Sequence, residues 1–406
     1  MPATRLDDYK DIVGVAELDE LRFLARELKG KTVKMVNSTA VGGGVAEMLN
    51  QMVPLLNEVE VNTHWDVITG GNDFFEVTKA FHNALQGSEY NLTQHARDIF
   101  LMHNEQNRQR IQFSEDFIVI HDPQPAALIR ARQQESQQRW IWRCHIDLSN
   151  PNPEVWSFLR PFVEQYDAAI FSSQSFTRQL QVPQFLFYPC IDPLSEKNKD
   201  LEDSFVQQVC DEFGVDRSRP IVTQVSRFDR AKDPVGVVQA FKQARKYVDC
   251  QLVLAGGGAS DDPEGAAVLK EVKAAAGEDR DIIILDLPPW CALEINALQR
   301  ASTIVVQKSI REGFGLTVTE ALWKGKPTIA GAVGGIPNQV IHKLTGALVH
   351  SVDGCAYQIR YLLTHPDFAK QLGQNGREHV KENFLMTTNV RRWLLLLRIL
   401  MAGVAK

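Results

Sequence analysis

The chain has 406 residues, 44% apolar and 23% charged, which rules out a disordered polymer or a lone binding module and sets a prior of two or three domains at ~150 residues each. Its 44 basic side chains against 50 acidic ones leave a net charge of -6, so the chain as a whole does not attract nucleic acid or an acidic membrane, and any basic site must be local. Six cysteines without a C-x-x-C pair argue against a disulfide framework or a zinc cluster and place the protein in a reducing cytoplasm.

Short apolar, β-rich segments alternate with longer helix-like stretches, the pattern of βαβ units around a parallel sheet, so the expected class is α/β. Met1 to Glu20 is polar and acidic and reads as no secretory signal. The first strand is predicted at Thr32 to Asn37 and runs into Ser38-Thr39-Ala40-Val41-Gly42-Gly43-Gly44-Val45-Ala46-Glu47. Three glycines let backbone approach a ligand, and the helix that follows offers free N–H groups to an anion or hydroxyl. The same residues also read as a plain tight connection, and they form neither a Walker loop nor a G-x-G-x-x-G fingerprint.

Strands follow at His64 to Thr69, Phe117 to His121 and Trp140 to His145. The last two end in His121-Asp122-Pro123-Gln124-Pro125 and Trp142-Arg143-Cys144-His145-Ile146-Asp147. In an open parallel sheet ligands bind beyond the carboxyl ends of the strands, and each of these ends carries a histidine and an aspartate suited to a polyhydroxylated ligand. Neither histidine has a third ligand spaced for a metal. Strands at Ala168 to Ser172 and Phe185 to Pro189 complete the first half. Pro189 to Pro193 and the polar stretch Ser195 to Asp203 then interrupt regular structure and mark a hinge.

The second half carries strand candidates Ile221 to Val225, Gln251 to Ala255, Ile282 to Asp286, Thr303 to Val306 and Pro327 to Ala330, so two sheets are expected rather than one. After Val225 comes Ser226-Arg227-Phe228-Asp229-Arg230-Ala231-Lys232-Asp233-Pro234, whose Arg227, Arg230 and Lys232 can grip a diphosphate, Arg as a forked donor and Lys as a point charge. A solvated loop is the bland alternative. After Val306, Ser309-Ile310-Arg311-Glu312-Gly313-Phe314-Gly315-Leu316-Thr317 leads into a helix carrying Glu320, a carboxylate able to bridge ribose hydroxyls or merely to favour the helix dipole. The apolar run Trp393 to Ala405 is broken by Arg398 and too short to span a bilayer, so Asn389 to Met401 is expected as a helix packed on structure already built.

Taken together, Arg227, Lys232 and the Glu312-x7-Glu320 pair resemble the retaining glycosyltransferases of family 4, over nearly the full length. The loops around Gly42-Gly43-Gly44, His121 to Pro125, Trp142 to Ser149, Asp192-Pro193-Leu194-Ser195-Glu196-Lys197-Asn198 and Ser309 to Gly315 are similar to those of its trehalose-forming members. The resemblance implies the GT-B fold, two Rossmann-like domains with parallel sheets facing a central cleft. It divides the chain into an acceptor-side domain, 1–191, completed by a C-terminal helix, 387–406, that crosses back, and a nucleotide-sugar domain, 192–386.

By the same resemblance, Arg227 and Lys232 hold the diphosphate, Glu320 the ribose and Glu312 the hydroxyls of the donor glucose, with His145 against the donor sugar. Arg227, Lys232, Glu312 and His145 form the expected catalytic set. Gly43, Gly44, Gly313, Phe314, Gly315, Leu316 and Thr317 line the nucleotide sugar, and Asp122, Gln124, Arg143 and Asp147 are acceptor candidates. Base contacts are assigned to Gly256 to Gly258 and Leu287-Pro288-Pro289-Trp290. One departure is the basic loop, which reads Arg-Phe-Asp-Arg-Ala-Lys where many relatives have Lys followed by Gly.

The activity implied is retaining transfer of glucose from UDP- or ADP-glucose to free glucose, giving α,α-trehalose, with no cofactor required and magnesium an optional stimulant. Expected partners are small-molecule substrates, with no nucleic acid or membrane and a homodimer as an open option. The rivals are a relative with another acceptor, such as a sucrose-phosphate or α-glucan synthase, a nicotinamide dehydrogenase, and a non-catalytic nucleotide-sugar sensor.

Overall fold

The apolar runs form two separate parallel sheets of six strands each in the computed structural model, which describes residues 4–40, 44–134, 136–257, 263–288 and 290–403. The first sheet contains β1 (Thr32–Asn37), β2 (Asn62–Val67), β3 (Phe117–His121), β4 (Arg139–Arg143), β5 (Ala168–Phe171) and β6 (Gln184–Leu186), in the order β2-β1-β3-β4-β5-β6. The second contains β7 (Ile221–Val225), β8 (Gln251–Gly256), β9 (Ile282–Asp286), β10 (Ile304–Gln307), β11 (Thr328–Gly331) and β12 (Ala347–Val349), in the order β12-β11-β10-β7-β8-β9. β12 is absent from the sequence reading because its three residues are too short to show a period.

Inner strands β3, β7 and β8 are buried at every position, as expected where helices cover both faces, whereas edge strand β2 is buried only at Thr63 and leaves Asn62 and His64 exposed. Side chains of the second sheet divide with period two. Val222, Leu252 and Leu254 pack into a core with the helix Pro234–Ala244, while Ile221, Val253 and Ala255 pack on the other side with Val206 and Leu298. The first sheet packs an aromatic core in which Phe74, Phe81, Phe100, Trp140, Trp142 and Phe171 are buried.

The chain divides into one unit of Met1–Pro189 with Met386–Lys406 and another of Cys190–Leu385. The final helix, Met386–Ala402, packs on the helices Val15–Arg26 and Gly44–Glu58 of the first unit. Its apolar face buries Trp393, Leu394, Leu397 and Leu400, with Trp393 edge-on to Phe187, while Arg398 reaches Glu27 at 2.6 Å. The run that looks hydrophobic in sequence is thus one face of an amphipathic helix. No helix among the described residues is long and apolar enough to cross a membrane.

The polar stretch after Cys190 is held closely within the second unit. Asn198 Nδ2 donates to Asp192 O at 3.0 Å and to Ser195 Oγ at 3.1 Å, and Asn296 and Arg300 donate to the carbonyls of Glu196, Asn198 and Lys199. Ile191 N–H bonds Phe384 O at 2.9 Å, which joins the two ends of the unit.

Candidate active site

In each sheet the chain starts in the middle, fills one side, then returns to fill the other, and the reversal falls between β1 and β3 and between β7 and β10. The loops leaving the carboxyl ends of such strands separate, so these are the places where a parallel sheet opens a binding crevice. Lys232 follows β7 and Glu312 follows β10, which are hydrogen-bonded neighbours despite the two strands between them in sequence.

Local chemistry shapes the basic loop. Asp229 Oδ1 accepts from Lys232 N–H at 3.0 Å, closing the 3-10 turn Arg230–Lys232, and Asp233, at φ 50, caps the helix Pro234–Ala244 through Gly236 N–H at 3.0 Å. Ala231 O accepts from Ile310 N–H at 2.8 Å, which stitches the two loops together. Lys232 Nζ then lies 2.6 Å from Glu312 Oε2, and Ser309 Oγ donates to the same oxygen at 3.3 Å. The pair is largely dry, with 18% of the Lys232 side chain and 9% of the Glu312 side chain exposed.

The acidic loop is shaped by glycines. Gly315, at φ 85, precedes the helix Leu316–Trp323, whose first N–H groups have no acceptor within the helix. Gly334, at φ 54, crosses so close that a Cβ there would stand 1.6 Å from Glu312 O. Glu320 on the same helix is only 6% exposed. Lys324, one turn later, donates to Gln299 Oε1 at 2.8 Å, Asn198 Oδ1 at 3.2 Å and Glu320 O at 3.3 Å. Burial lowers the Lys324 pKa, against the opposing pull of the Glu320 charge.

Arg227 is the exposed member, with 73% of its side chain in solvent and Asp229 Oδ2 at 3.3 Å from its guanidinium. The expected trio of cations is reduced to two, because Arg230 forks onto Glu271 at 2.7 and 3.1 Å. A residue missed in sequence takes a structural share: buried Lys308 pairs with Asp233 and so fixes the cap below Lys232. Its signal was a lysine just beyond the carboxyl end of β10. Of the proposed base contacts, Gly258 and Pro289 lie outside the described residues, and Gly256 O is taken up by Leu287 N–H at 2.6 Å.

In the first unit β3 and β4 pair with His121 opposite Arg143, so His145, two residues past β4, comes beside His121. His121 Nδ1 and His145 Nε2 are 2.9 Å apart, with ring planes 16° from parallel. Asp122, at φ 68, accepts from His145 N–H at 2.7 Å through Oδ1, and its carbonyl accepts from Trp142 Nε1–H at 3.0 Å. Arg143 is 1% exposed and donates to Phe187 O at 2.7 Å and Ser172 Oγ at 3.2 Å, which ties it to the strand ends rather than leaving it open to an acceptor.

Burial, reinforced by the Arg143 charge, pushes His121 down to about 3 and holds His145 well below the usual histidine range. Burial pushes the Asp122 carboxyl up to about 6, although the His145 N–H and Arg143 oppose it. Gln124 and Asp147 sit on flanking turns, where Gln124 O accepts from Asn104 at 3.0 Å and Asp147 Oδ1 from Ser149 N–H at 2.7 Å, and neither bonds to the histidine cluster. Gly43 lies outside the described residues, while Gly44 opens the helix Gly44–Glu58. No group of His, Cys, Asp or Glu able to hold a metal ion occurs among the described residues.

Comparison with known proteins points in one direction. Residues 35–178 match the family described as trehalose synthase, N-terminal domain, and residues 210–379 match glycosyl transferases group 1. The chain is 46% identical to a trehalose synthase of Thermococcus litoralis, covering 97% of this chain and 96% of that one. A trehalose phosphorylase of Pleurotus pulmonarius is 30% identical over 96% of this chain and 60% of its own. Among solved structures, a sucrose-phosphate synthase from Thermosynechococcus elongatus superposes with a TM-score of 0.71 at 19% identity, covering 92% of this chain and all (100%) of that one, which supports the GT-B fold.

Proposed function

Because the chain belongs to the trehalose synthase family and is a glycosyltransferase, we propose that it joins the glucose of UDP- or ADP-glucose to free glucose with retention, giving α,α-trehalose. The observation that carries the reading is the Lys232–Glu312 pair at 2.6 Å, at the reversal point of the second sheet and beside the N-terminus of the helix Leu316–Trp323. An ammonium facing phosphate and a carboxylate facing sugar hydroxyls are what a nucleoside diphosphate sugar requires where its two halves meet.

In this reading Arg227 and Lys232 take the diphosphate, together with the N–H groups of Gly315, Leu316 and Thr317, while Gly313 and Phe314 line the sugar. Exposed Arg227 swings from Asp229 to the phosphates, and Lys232 shares its charge between Glu312 and the leaving group. As the bond from anomeric carbon to oxygen breaks, negative charge grows on the diphosphate and positive charge on the ring, so cations already in place favour the transition state. The acceptor hydroxyl attacks from the face the diphosphate leaves and gives its proton to a phosphate oxygen.

Glu312 binds hydroxyls and forms no covalent intermediate, and Glu320 holds the ribose. In the first unit His145 lies against the donor sugar, and Asp122, Gln124 and Asp147 take the acceptor. Arg143 acts from within the sheet through its charge. The protein cations neutralise the diphosphate without a metal, and magnesium assists.

The test is product identification. Purified protein with UDP- or ADP-glucose and glucose should release the nucleoside diphosphate and form a non-reducing disaccharide whose anomeric protons both show α coupling. Likeness to a trehalose phosphorylase makes glucose 1-phosphate the necessary control donor. Nucleotide release without disaccharide, or disaccharide from glucose 1-phosphate alone, would overturn the proposal.

A further inference from the structure

We propose that His121 is a positioning residue that dictates which ring nitrogen of His145 carries the proton, so that His145 presents Nδ1–H as a hydrogen-bond donor to a ligand oxygen. The functional half of this inference rests on His145 facing the donor sugar, whereas the protonation pattern stands on the contact between the two rings and on their burial. His121 Nδ1 and His145 Nε2 are 2.9 Å apart, and one hydrogen serves that contact. Burial and the neighbouring Arg143 keep both rings neutral, so each ring carries one proton and two arrangements are available.

If His145 donated from Nε2, His121 would accept at Nδ1 and carry its own proton on Nε2. That atom is buried and has no partner among the described residues. An orphaned N–H would then sit inside the sheet, one of the rarest and costliest arrangements in folded proteins. If His121 donates from Nδ1, the buried Nε2 holds a bare lone pair, and an unmet acceptor is the better tolerated of the two.

The second arrangement makes His145 an acceptor at Nε2 and therefore protonated at Nδ1. His121 is fully buried whereas His145 is only partly so, and no described residue takes its Nδ1. Asp122 holds the His145 backbone through its N–H, so both the ring and its proton are set before a ligand arrives.

Nitrogen-15 NMR of the histidine rings in the full-length wild-type protein should show His145 protonated at Nδ1 and bare at Nε2. His121→Asn places an amide N–H where His121 Nδ1–H stood; it should keep that pattern and hold transferase kcat within about fivefold. His121→Leu removes the donor, and it should mix the His145 tautomers and lower kcat by about tenfold to a hundredfold. The opposite tautomer in wild type, or equal kcat losses in the Asn and Leu variants, would overturn the inference. Should the Leu variant fail to fold, the wild-type spectrum and the Asn variant still decide it. Should the protein make no trehalose at all, the functional reading falls while the spectrum still decides the tautomer.

Discussion

Removing the ammonium of Lys232 tests whether the Lys232–Glu312 contact is a buried pair or a surface decoration. Lys232→Met deletes the charge and keeps most of the apolar stem, leaving the Glu312 carboxylate, 9% exposed, with Ser309 Oγ at 3.3 Å as its remaining side-chain hydrogen-bond donor among the described residues. Breaking a buried pair costs about 3–5 kcal/mol, and with Lys232 itself 18% exposed the expected loss is ~2–3 kcal/mol. In a unit of this size that lowers the midpoint of its thermal transition by roughly 5–10 °C.

Lys232→Met with Glu312→Gln removes both charges and keeps the amide oxygen for Ser309, so the double variant should recover at least half of the loss. The coupling in the double-mutant cycle is then about 1–2 kcal/mol. Calorimetry of the four proteins supplies the cycle, and trehalose formation is measured on each. Additive losses would refute the buried-pair reasoning. A stable double variant that retained full turnover would instead remove the pair from the mechanism.

Arg227→Ala removes an exposed side chain whose ion pair is to Asp229, so stability should change by less than about 0.5 kcal/mol while trehalose formation falls by about a hundredfold; equal wild-type turnover would take Arg227 out of the site. Because His121 is pushed from 6.5 to about 3, the unfolded chain binds a proton that the folded one refuses, and stability declines as pH falls through that window. The slope is about 1.4 kcal/mol per pH unit for one histidine, and His121→Asn should flatten it by that amount in urea titrations; an unchanged slope would contradict the burial argument. Gly334→Ala forces a Cβ to 1.6 Å from Glu312 O at φ 54, so it should displace the Glu312 loop and cut turnover by more than tenfold, visible as altered loop shifts in NMR; an active, unshifted variant would show that the loop yields freely.

Much of the architecture is legible in residue order because it rests on local physics. Buried parallel strands must be short apolar runs, and β1, β3, β7 and β9 have the limits that composition and flanking turns set. The Glu312 and Lys232 loops are recognisable because diphosphate chemistry restricts which side chains can serve at a strand end. Edge strands β2 and β12 are harder to read, since one mixes polar residues and the other has three residues in all.

The pairings within each site depend on which strands become neighbours. β7 and β10 are adjacent because the chain reverses across the sheet, and this brings Lys232 to Glu312 over 80 residues while Arg230 turns away to Glu271. In the first unit the register of β3 on β4 sets His121 against His145 and buries Arg143 beneath them. The net charge of -6 conceals this arrangement. Composition and local pattern determine which segments become strands and which loops carry charge. Strand order and burial, imposed only when the sheets assemble, decide which of those charges meet and which nitrogen keeps its proton.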